Sequence, residues 1–428
     1  MSLARRLSRL ESRPAASSSG AAAEAAQIER SAAGPSLVQR REKLDELRRE
    51  LDALLERAPL HQQKPRVRQH FAQLPFVRLE TNAGPLWQRE KRLSASHYVG
   101  SVAVAALAQA DSNVLAELAL DPSIAGSEPA SWLFLDTETT GFAGAGTLAF
   151  LVGMAWLDGA GEPVVEQLLL AEPDQELPLL ERVAERVRAA TLIVSFNGKA
   201  FDRPLLDGRY LLNGLPPLPS RPHFDLLHVA RRLHQTRLGR CSLKRIEMRV
   251  LGFDRGGDID GSEVAALYGH FLRSGDAAGI AQVVSHNLSD VVSMLALVGL
   301  YGQRSPQLEA IDLAGLARTL RRAGARHEAE RVAEAACQRG AGAEGLRVRA
   351  QLAKARGDVV GAIRDLEAVC EERDDPDARL ELAKLYEHRL GRPARALEWL
   401  EHGTSESTAD EARRRARLRR KLAQAREA

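Results

Sequence analysis

The apolar rhythm of the chain changes several times, and each change marks an element or a domain edge. Residues 1–35 have almost none. Ser17–Ser19 and Ala21–Ala23 are small, and large apolar groups are too few to offset the entropy of ordering, so this stretch is expected to be disordered. From Leu37 to Arg57 the pattern turns helical, with Leu44, Leu47, Leu51 and Leu54 alternating spacings of three and four. Two heptads are short for a coiled coil and predict a helix packed on its own protein. Phe76–Glu80 and Leu86–Glu90 read as strands around a hairpin loop at Asn82-Ala83-Gly84. A helical passage through Val102, Val104, Leu107, Val114, Leu115 and Leu118 completes a lead-in over 36–128.

At Trp132 the pattern changes sharply. Trp132-Leu133-Phe134-Leu135 is a short apolar run, as in a strand buried on both faces. Leu148–Leu157, Val164–Leu170 and Leu192–Val194 predict further strands, whereas Gln175–Ala190 and Ile280–Leu300 have helical spacing. Strand and helix alternating in this way predict an α/β sheet covered by helices, here over 129–303. Residues 308–428 are helical throughout. Gly324, Gly357 and Gly391 lie 33 and 34 residues apart, each followed five residues later by Ala329, Ala362 or Ala396. That period, with a small residue at a helix crossing, resembles tetratricopeptide repeats, and about three helix pairs fit.

Composition adds bounds. A chain of 428 residues predicts two or three domains. A net charge of +3 neither demands nor excludes nucleic acid. Cys241, Cys337 and Cys370 are widely spaced with no CxxC pattern, which fits a reducing compartment and argues against structural zinc. The arginine-bearing N-terminus lacks the apolar core of a secretory signal, and no uncharged apolar stretch is long enough to cross a bilayer. The expectation is a cytoplasmic protein with no membrane partner.

The candidate chemistry lies in three acidic motifs. Asp136 and Glu138 close the strand that begins at Trp132, and residues two apart on a strand point the same way. Their repulsion would cost stability unless a cation lies between them. Asp202 follows the Leu192–Val194 strand within Asn197-Gly198-Lys199-Ala200-Phe201-Asp202, opening a helix with Phe201 directed to the core. Read alone, Asp202 fits a helix N-cap. His286 and Asp290 are four apart on the last helix and share a face turned from Val283, Val284, Val291 and Leu295.

In this order, an Asp-x-Glu on a first strand, an Asn-x-x-x-Phe-Asp after a later strand and a final-helix acid with a base four residues earlier resemble the DEDD exonuclease superfamily. Phe196–Leu206, Asp225-Leu226-Leu227-His228, Cys241-Ser242-Leu243, Glu247, Val250–Phe253, Asp258–Gly261 and His286-Asn287 narrow the resemblance to YprB-type ribonuclease H-like domains. Asp260 departs from that pattern, where Pro is expected, and it touches a loop only. His286 stands at the four-residue spacing of the tyrosine subtype instead of the five-residue spacing of the histidine subtype. The resemblance implies a mixed five-stranded sheet flanked by helices and a 3′–5′ exonuclease acting on a single-stranded 3′ end of DNA or RNA. It also implies two divalent ions, Mg²⁺ or Mn²⁺, about 3.5–4 Å apart. Such hard cations take carboxylate and water ligands. Asp136 would bridge both ions, Glu138 and Asp290 would complete one site, and Asp202 would hold the outer ion through water. His286 would take the proton of the attacking water.

Several other features invite a role in binding. Asn197, Lys199 and Thr139 stand beside the acids, and Arg231 and Arg232 belong to a basic stretch from Arg221 to Arg249 that could contact phosphates. Gly141, Gly144 and Gly146 suit close backbone approach or a tight turn. Asp225 and His228 fit a buried polar contact. Arg413–Lys421 holds seven basic residues in nine, which fits a nucleic-acid contact or a solvated helix end. The competing reading is a nucleic-acid-binding adaptor whose repeats recruit protein partners. A phosphatase using a nucleophilic Asp needs a second Asp two residues on, and position 138 is Glu.

Overall fold

A computed structural model describes residues 74–427 apart from Ala95, residues 142–145 and Ser305. The expected disordered lead at 1–35 and the leucine-spaced helix at 37–57 lie outside the described residues, as does most of the Gly141–Gly146 turn.

The sheet is built on the apolar run at Trp132. Strand β5 (Trp132–Thr139) sends Trp132 and Phe134 into one apolar cluster and Leu133 and Leu135 into another, so both faces of the sheet are covered. The earlier strands are β1 (Val77–Thr81), β2 (Gly84–Arg92) and the separate small pair β3 (Tyr98–Val99) and β4 (Val102–Ala103). After β5 come β6 (Ala149–Leu157), β7 (Pro163–Leu169), β8 (Leu192–Ser195) and β9 (His223–Asp225). The main sheet has seven strands in the order β1-β2-β7-β6-β5-β8-β9. β8 and β9 run parallel to β5, and the other pairings are antiparallel. Strands β5–β8 are those the pattern predicts, and β9, which it does not mark, completes the five that the resemblance implies. The sheet is two strands wider because the lead-in hairpin joins it, with β2 pairing to β7 from Trp87–Leu169 to Arg92–Val164.

The described α-helices up to the repeats are α1 (Ser112–Ala119), α2 (Glu176–Ala189), α3 (Asp202–Leu212), α4 (Leu226–Leu238), α5 (Leu243–Ile246), α6 (Val264–Ser274) and α7 (Ala277–Tyr301). α5 runs into a single π-helical turn, Glu247–Leu251. α7 is long and apolar enough to cross a membrane by composition alone, but 72% of its most apolar window is buried inside the protein. It begins at Asp276, whose side chain accepts from the Ala278 N–H. It lies against the sheet where Asp136, Gly153 and Gln167 form one row across β5, β6 and β7. Only glycine fits in that row's centre. A Cβ at Gly153 would stand 2.3 Å from Oδ1 of Asn287 and 2.8 Å from Cγ2 of Val291.

The helical region forms three successive pairs and a last helix: α8 (Ala310–Ala323) with α9 (Arg326–Gln338), α10 (Gly342–Arg356) with α11 (Val359–Glu372), α12 (Pro376–His388) with α13 (Pro393–Glu401), then α14 (Thr408–Glu427). Gly324, Gly357 and Gly391 have φ of +88°, +88° and +62°, the left-handed conformation that ends a helix without Cβ strain. Ala329, Ala362 and Ala396 are fully buried. The first pair shares one apolar cluster with the sheet, through Leu313, Leu316, Leu320 and Val332. At Gly315 a Cβ would lie 2.4 Å from the Leu233 carbonyl oxygen, so α8 packs directly on α4. Asp312, buried there, accepts from Arg237 and pairs with His234.

The basic run in α14 is largely engaged within the protein. Arg414, Arg417 and Lys421 all converge on buried Glu387, whose carboxyl the hydrogen bonds of Arg417 and Lys421, with the charge of His388, lower to about 2. Arg415 pairs with Glu411 and Arg413 with Asp410.

Candidate active site

Asp136 and Glu138 follow Trp132 and Phe134 on the same face of β5, at the end where the register with β6 shifts between Glu138 and Thr139. The loop after the parallel neighbour β8 brings in the third acid. Asn197 takes a left-handed φ of +71°, which a short polar side chain tolerates. A Cβ at the next residue, Gly198, would meet Ser195 Oγ at 2.4 Å and Asp202 Oδ2 at 2.9 Å. Ser195 Oγ accepts from the Gly198 N–H at 3.1 Å and shares a hydrogen bond with Nε2 of His223 at 2.7 Å. Burial lowers His223 to about 4, which keeps the ring neutral. Asp225 accepts from the N–H groups of Asn197 and Lys199 at 2.8 and 3.1 Å, and it caps α4. Asp225 thus makes the buried polar contact expected of it, and it fixes the loop from the β9 side.

Asp202 is the first residue of α3, and Phe201 occupies the cap position without a side-chain cap bond, so the N-cap reading does not hold. Asp202 Oδ1 accepts from the Thr137 hydroxyl on β5. The expectation that Phe201 points to the core is also corrected, because it is 57% exposed. The buried stripe of α3 is Asp202, Leu206 and Tyr210, four residues apart, and Phe201 is one residue out of phase with it. Phe201 therefore lines an open cleft of about 440 Å³ together with Asp136, Thr139, Phe196, Asn197 and Asp202.

Helix α7 supplies the remaining side chains. Nε2 of His286 lies 3.5 Å from Asp290 Oδ2 and 4.0 Å from Glu138 Oε1. Ligand atoms of Glu138, His286 and Asp290 all fall within 4.8 Å of one another. Asn287, one residue round the helix, donates to Asp136 Oδ2 at 2.8 Å and accepts from Gln167 Nε2 at 2.9 Å. Asp136, Glu138, Asp202 and Asp290 thus gather at one place, with His286 beside them.

Crowding them is electrostatically costly. Burial, then the charges of Asp290, Glu138 and Asp202, raise the Asp136 carboxyl well above the carboxylate range. Burial raises Glu138 to about 7 against the pull of His286, and raises Asp202 to about 6 against its hydrogen bond from Thr137. Burial works against the charged form of His286, but Asp290, Asp258 and Glu138 outweigh it and raise the imidazole.

Arg255 and Asp258, in the loop between the π-helical turn and α6, had no assigned role in the sequence reading. Arg255, 5% exposed, pairs with Asp290, Glu247 and Asp258, and Asp258 Oδ1 lies 2.7 Å from Nδ1 of His286. Asn287 was visible only as the neighbour of His286. Of the expected nucleic-acid contacts, Asn197 and Thr139 line the cleft, and exposed Lys199 is on the same loop as Asn197, two residues on. Arg231 and Arg232 lie on α4 outside that cluster. The Arg232 guanidinium donates to the Leu118 carbonyl, and exposed Arg231 exerts its charge on Cys241.

The donor set fits divalent cations. Oxygen ligands dominate, one imidazole is present, and the neighbouring carboxylates raise Asp136 and Glu138, the repulsion a cation would relieve. A family profile described as the RNase_H superfamily matches residues 133–301, the span from β5 to the end of α7. "Uncharacterized protein YprB" of Bacillus subtilis (strain 168) is 40% identical over 167 residues, covering 38% of this chain and 40% of that protein. The chain thus spans less than half of the length of this relative. The family B DNA polymerase of the hyperthermophilic archaeon Pyrobaculum calidifontis matches over 53% of this chain and 29% of its own, with 16% identity and a TM-score of 0.33.

Proposed function

Residues 133–301 form an RNase_H superfamily domain of the YprB type, and from that premise we propose that the protein is a metal-dependent 3′–5′ exonuclease on single-stranded nucleic acid. The observation that carries this reading is the convergence of Asp136, Glu138, Asp202 and Asp290, from the end of β5, the first residue of α3 and the face of α7, beside an open cleft lined by Asp136 and Asp202. Asp136, Glu138 and Asp290 would hold one divalent ion, and Asp136 with Asp202 a second. Such ions lower the pKa of water and shield charge on a phosphate. Asn287 holds the Asp136 carboxylate in place, and Thr137 does the same for Asp202. His286 directs Nε2 at the acids and accepts the proton of the attacking water. Exposed Phe201 offers a face on which a terminal base stacks, and Lys199 a charge for its backbone.

The helical pairs are proposed to be tetratricopeptide-like and to hold a protein partner. An adaptor without catalysis would not need an imidazole aimed at a cluster of acids. The test is progressive shortening of 5′-labelled single-stranded DNA and RNA by purified protein with Mg²⁺ or Mn²⁺. Asp136→Ala should stop it while leaving the protein folded. Metal-replete wild-type protein inert on every strand would sink the reading.

A further inference from the structure

The loop from Gly252 to Glu263 separates the π-helical turn from α6, and it sets two charged side chains against the His286 ring. Nδ1 of that ring has two neighbours. Asp258 Oδ1 is 2.7 Å away and Arg255 Nη1 is 3.5 Å away. One ring nitrogen cannot both donate to the first and accept from the second. An ionised carboxylate only accepts and a guanidinium only donates, and the contact that is shorter by far is the one to Asp258. The ring proton therefore lies on Nδ1, and the lone pair of the neutral imidazole lies on Nε2, the atom that faces Glu138 and Asp290. Asp258 is in turn held by Arg255, whose Nη1 lies 3.3 Å from its second oxygen. Arg255 itself is fixed by buried Glu247 and by Asp290.

Resting on the exonuclease reading, we propose that Asp258 is a positioning residue. It selects the Nδ1–H tautomer of His286 and fixes the ring so that Nε2 can receive the proton of the attacking water, with Arg255 locking the carboxylate in turn. The arrangement follows the general logic of an acid orienting a base. The accepting carboxylate comes from a loop that neither sheet nor helix pattern marks.

Asp258→Asn tests this with little change of shape. Arg255 needs an acceptor, so the amide oxygen turns to Arg255 and the amide N–H₂ faces Nδ1 of His286. Nδ1 must then accept, and the proton moves to Nε2. The readout is ¹⁵N NMR of histidine-labelled, Mg²⁺-loaded full-length protein at pH about 8.5, with the His286 signal assigned by its loss in His286→Asn. Wild type should show a protonated Nδ1 and a bare Nε2, and Asp258→Asn the reverse. Alongside, kcat should fall on the order of 10²–10⁴-fold, with KM and the Mn²⁺ affinity unchanged. A wild-type ring protonated at Nε2 would overturn the proposal before any variant is made. So would an Asp258→Asn protein with the wild-type tautomer or with kcat within about threefold of wild type. The tautomer is read without hydrolysis, so a wild type that cuts no strand would sink the exonuclease reading and leave the NMR to decide the role of Asp258.

Discussion

Gly153→Ala adds one methyl group where the structure has no room for it. The new Cβ would stand 2.3 Å from Oδ1 of Asn287 and 2.8 Å from Cγ2 of Val291, against ordinary contact beginning at 3.4 Å. Either Asn287 turns away or α7 lifts by roughly 1 Å, a displacement of the size that can cost about 10²-fold in rate when reacting groups move with it. Both movements break the 2.8 Å hydrogen bond from Asn287 to Asp136 and the 2.9 Å bond from Gln167. The second also carries His286 and Asp290 away from Glu138. Overpacking of this kind costs about 1–3 kcal/mol. Urea denaturation with a nuclease assay on the folded fraction measures both effects. The expected result is a lower denaturation midpoint and a rate down on the order of 10²-fold. Asn287→Ala removes the closer clashing atom, so in a double-mutant cycle the pair should lose less stability than the two single changes added together. Wild-type stability and rate in Gly153→Ala would refute the argument that this glycine sets the seat of α7.

Two further outcomes follow from the site. Phe201→Ala should raise KM for single strands about 5- to 150-fold, since base stacking contributes about 1–3 kcal/mol, and leave the melting temperature unchanged because Phe201 is 57% exposed; an unaltered KM would remove the stacking role. In metal-free protein Glu138 is raised from 4.5 to about 7 and Asp202 from 3.8 to about 6, so the native state binds protons more tightly than the unfolded chain. That stabilisation is full below about pH 4 and lost as pH rises to about 7, so the EDTA-treated protein should melt lower at pH 8 than at pH 5, with Mn²⁺ reversing the loss. A chelated protein that gains stability over this interval would contradict the electrostatics of the cluster.

The sequence made the backbone of the site legible and much of its support illegible. Strand β5, the β8 turn and α7 each carry a strong local rhythm, so Asp136, Glu138, Asp202, His286 and Asp290 could be placed on their elements before any contact was known. Asn287 meets Asp136 across 151 residues, and Gly153 matters only because β6 pairs with β5 in one register. Neither relation leaves a local trace. Asp258 and Arg255 lie in a loop, where no periodicity marks a role. β9 has only three residues, too few to alternate visibly, and was read as a polar motif. Phe201 was misdirected because its apolar character was weighed without the phase of α3. Counting charges in α14 likewise revealed nothing of Glu387, the buried acid that gathers three of them.

The shared cluster beneath α8 bears on distance. As a free tether, the eight residues Gly302–Glu309 between α7 and α8 would let the helical pairs wander over roughly 15 Å. Asp312 held by Arg237 and His234, and Gly315 pressed on the Leu233 carbonyl, remove that freedom. Anything gripped by the helical pairs is therefore presented to the cleft at one separation and one angle. Its effective concentration there is set by geometry and not by chain statistics.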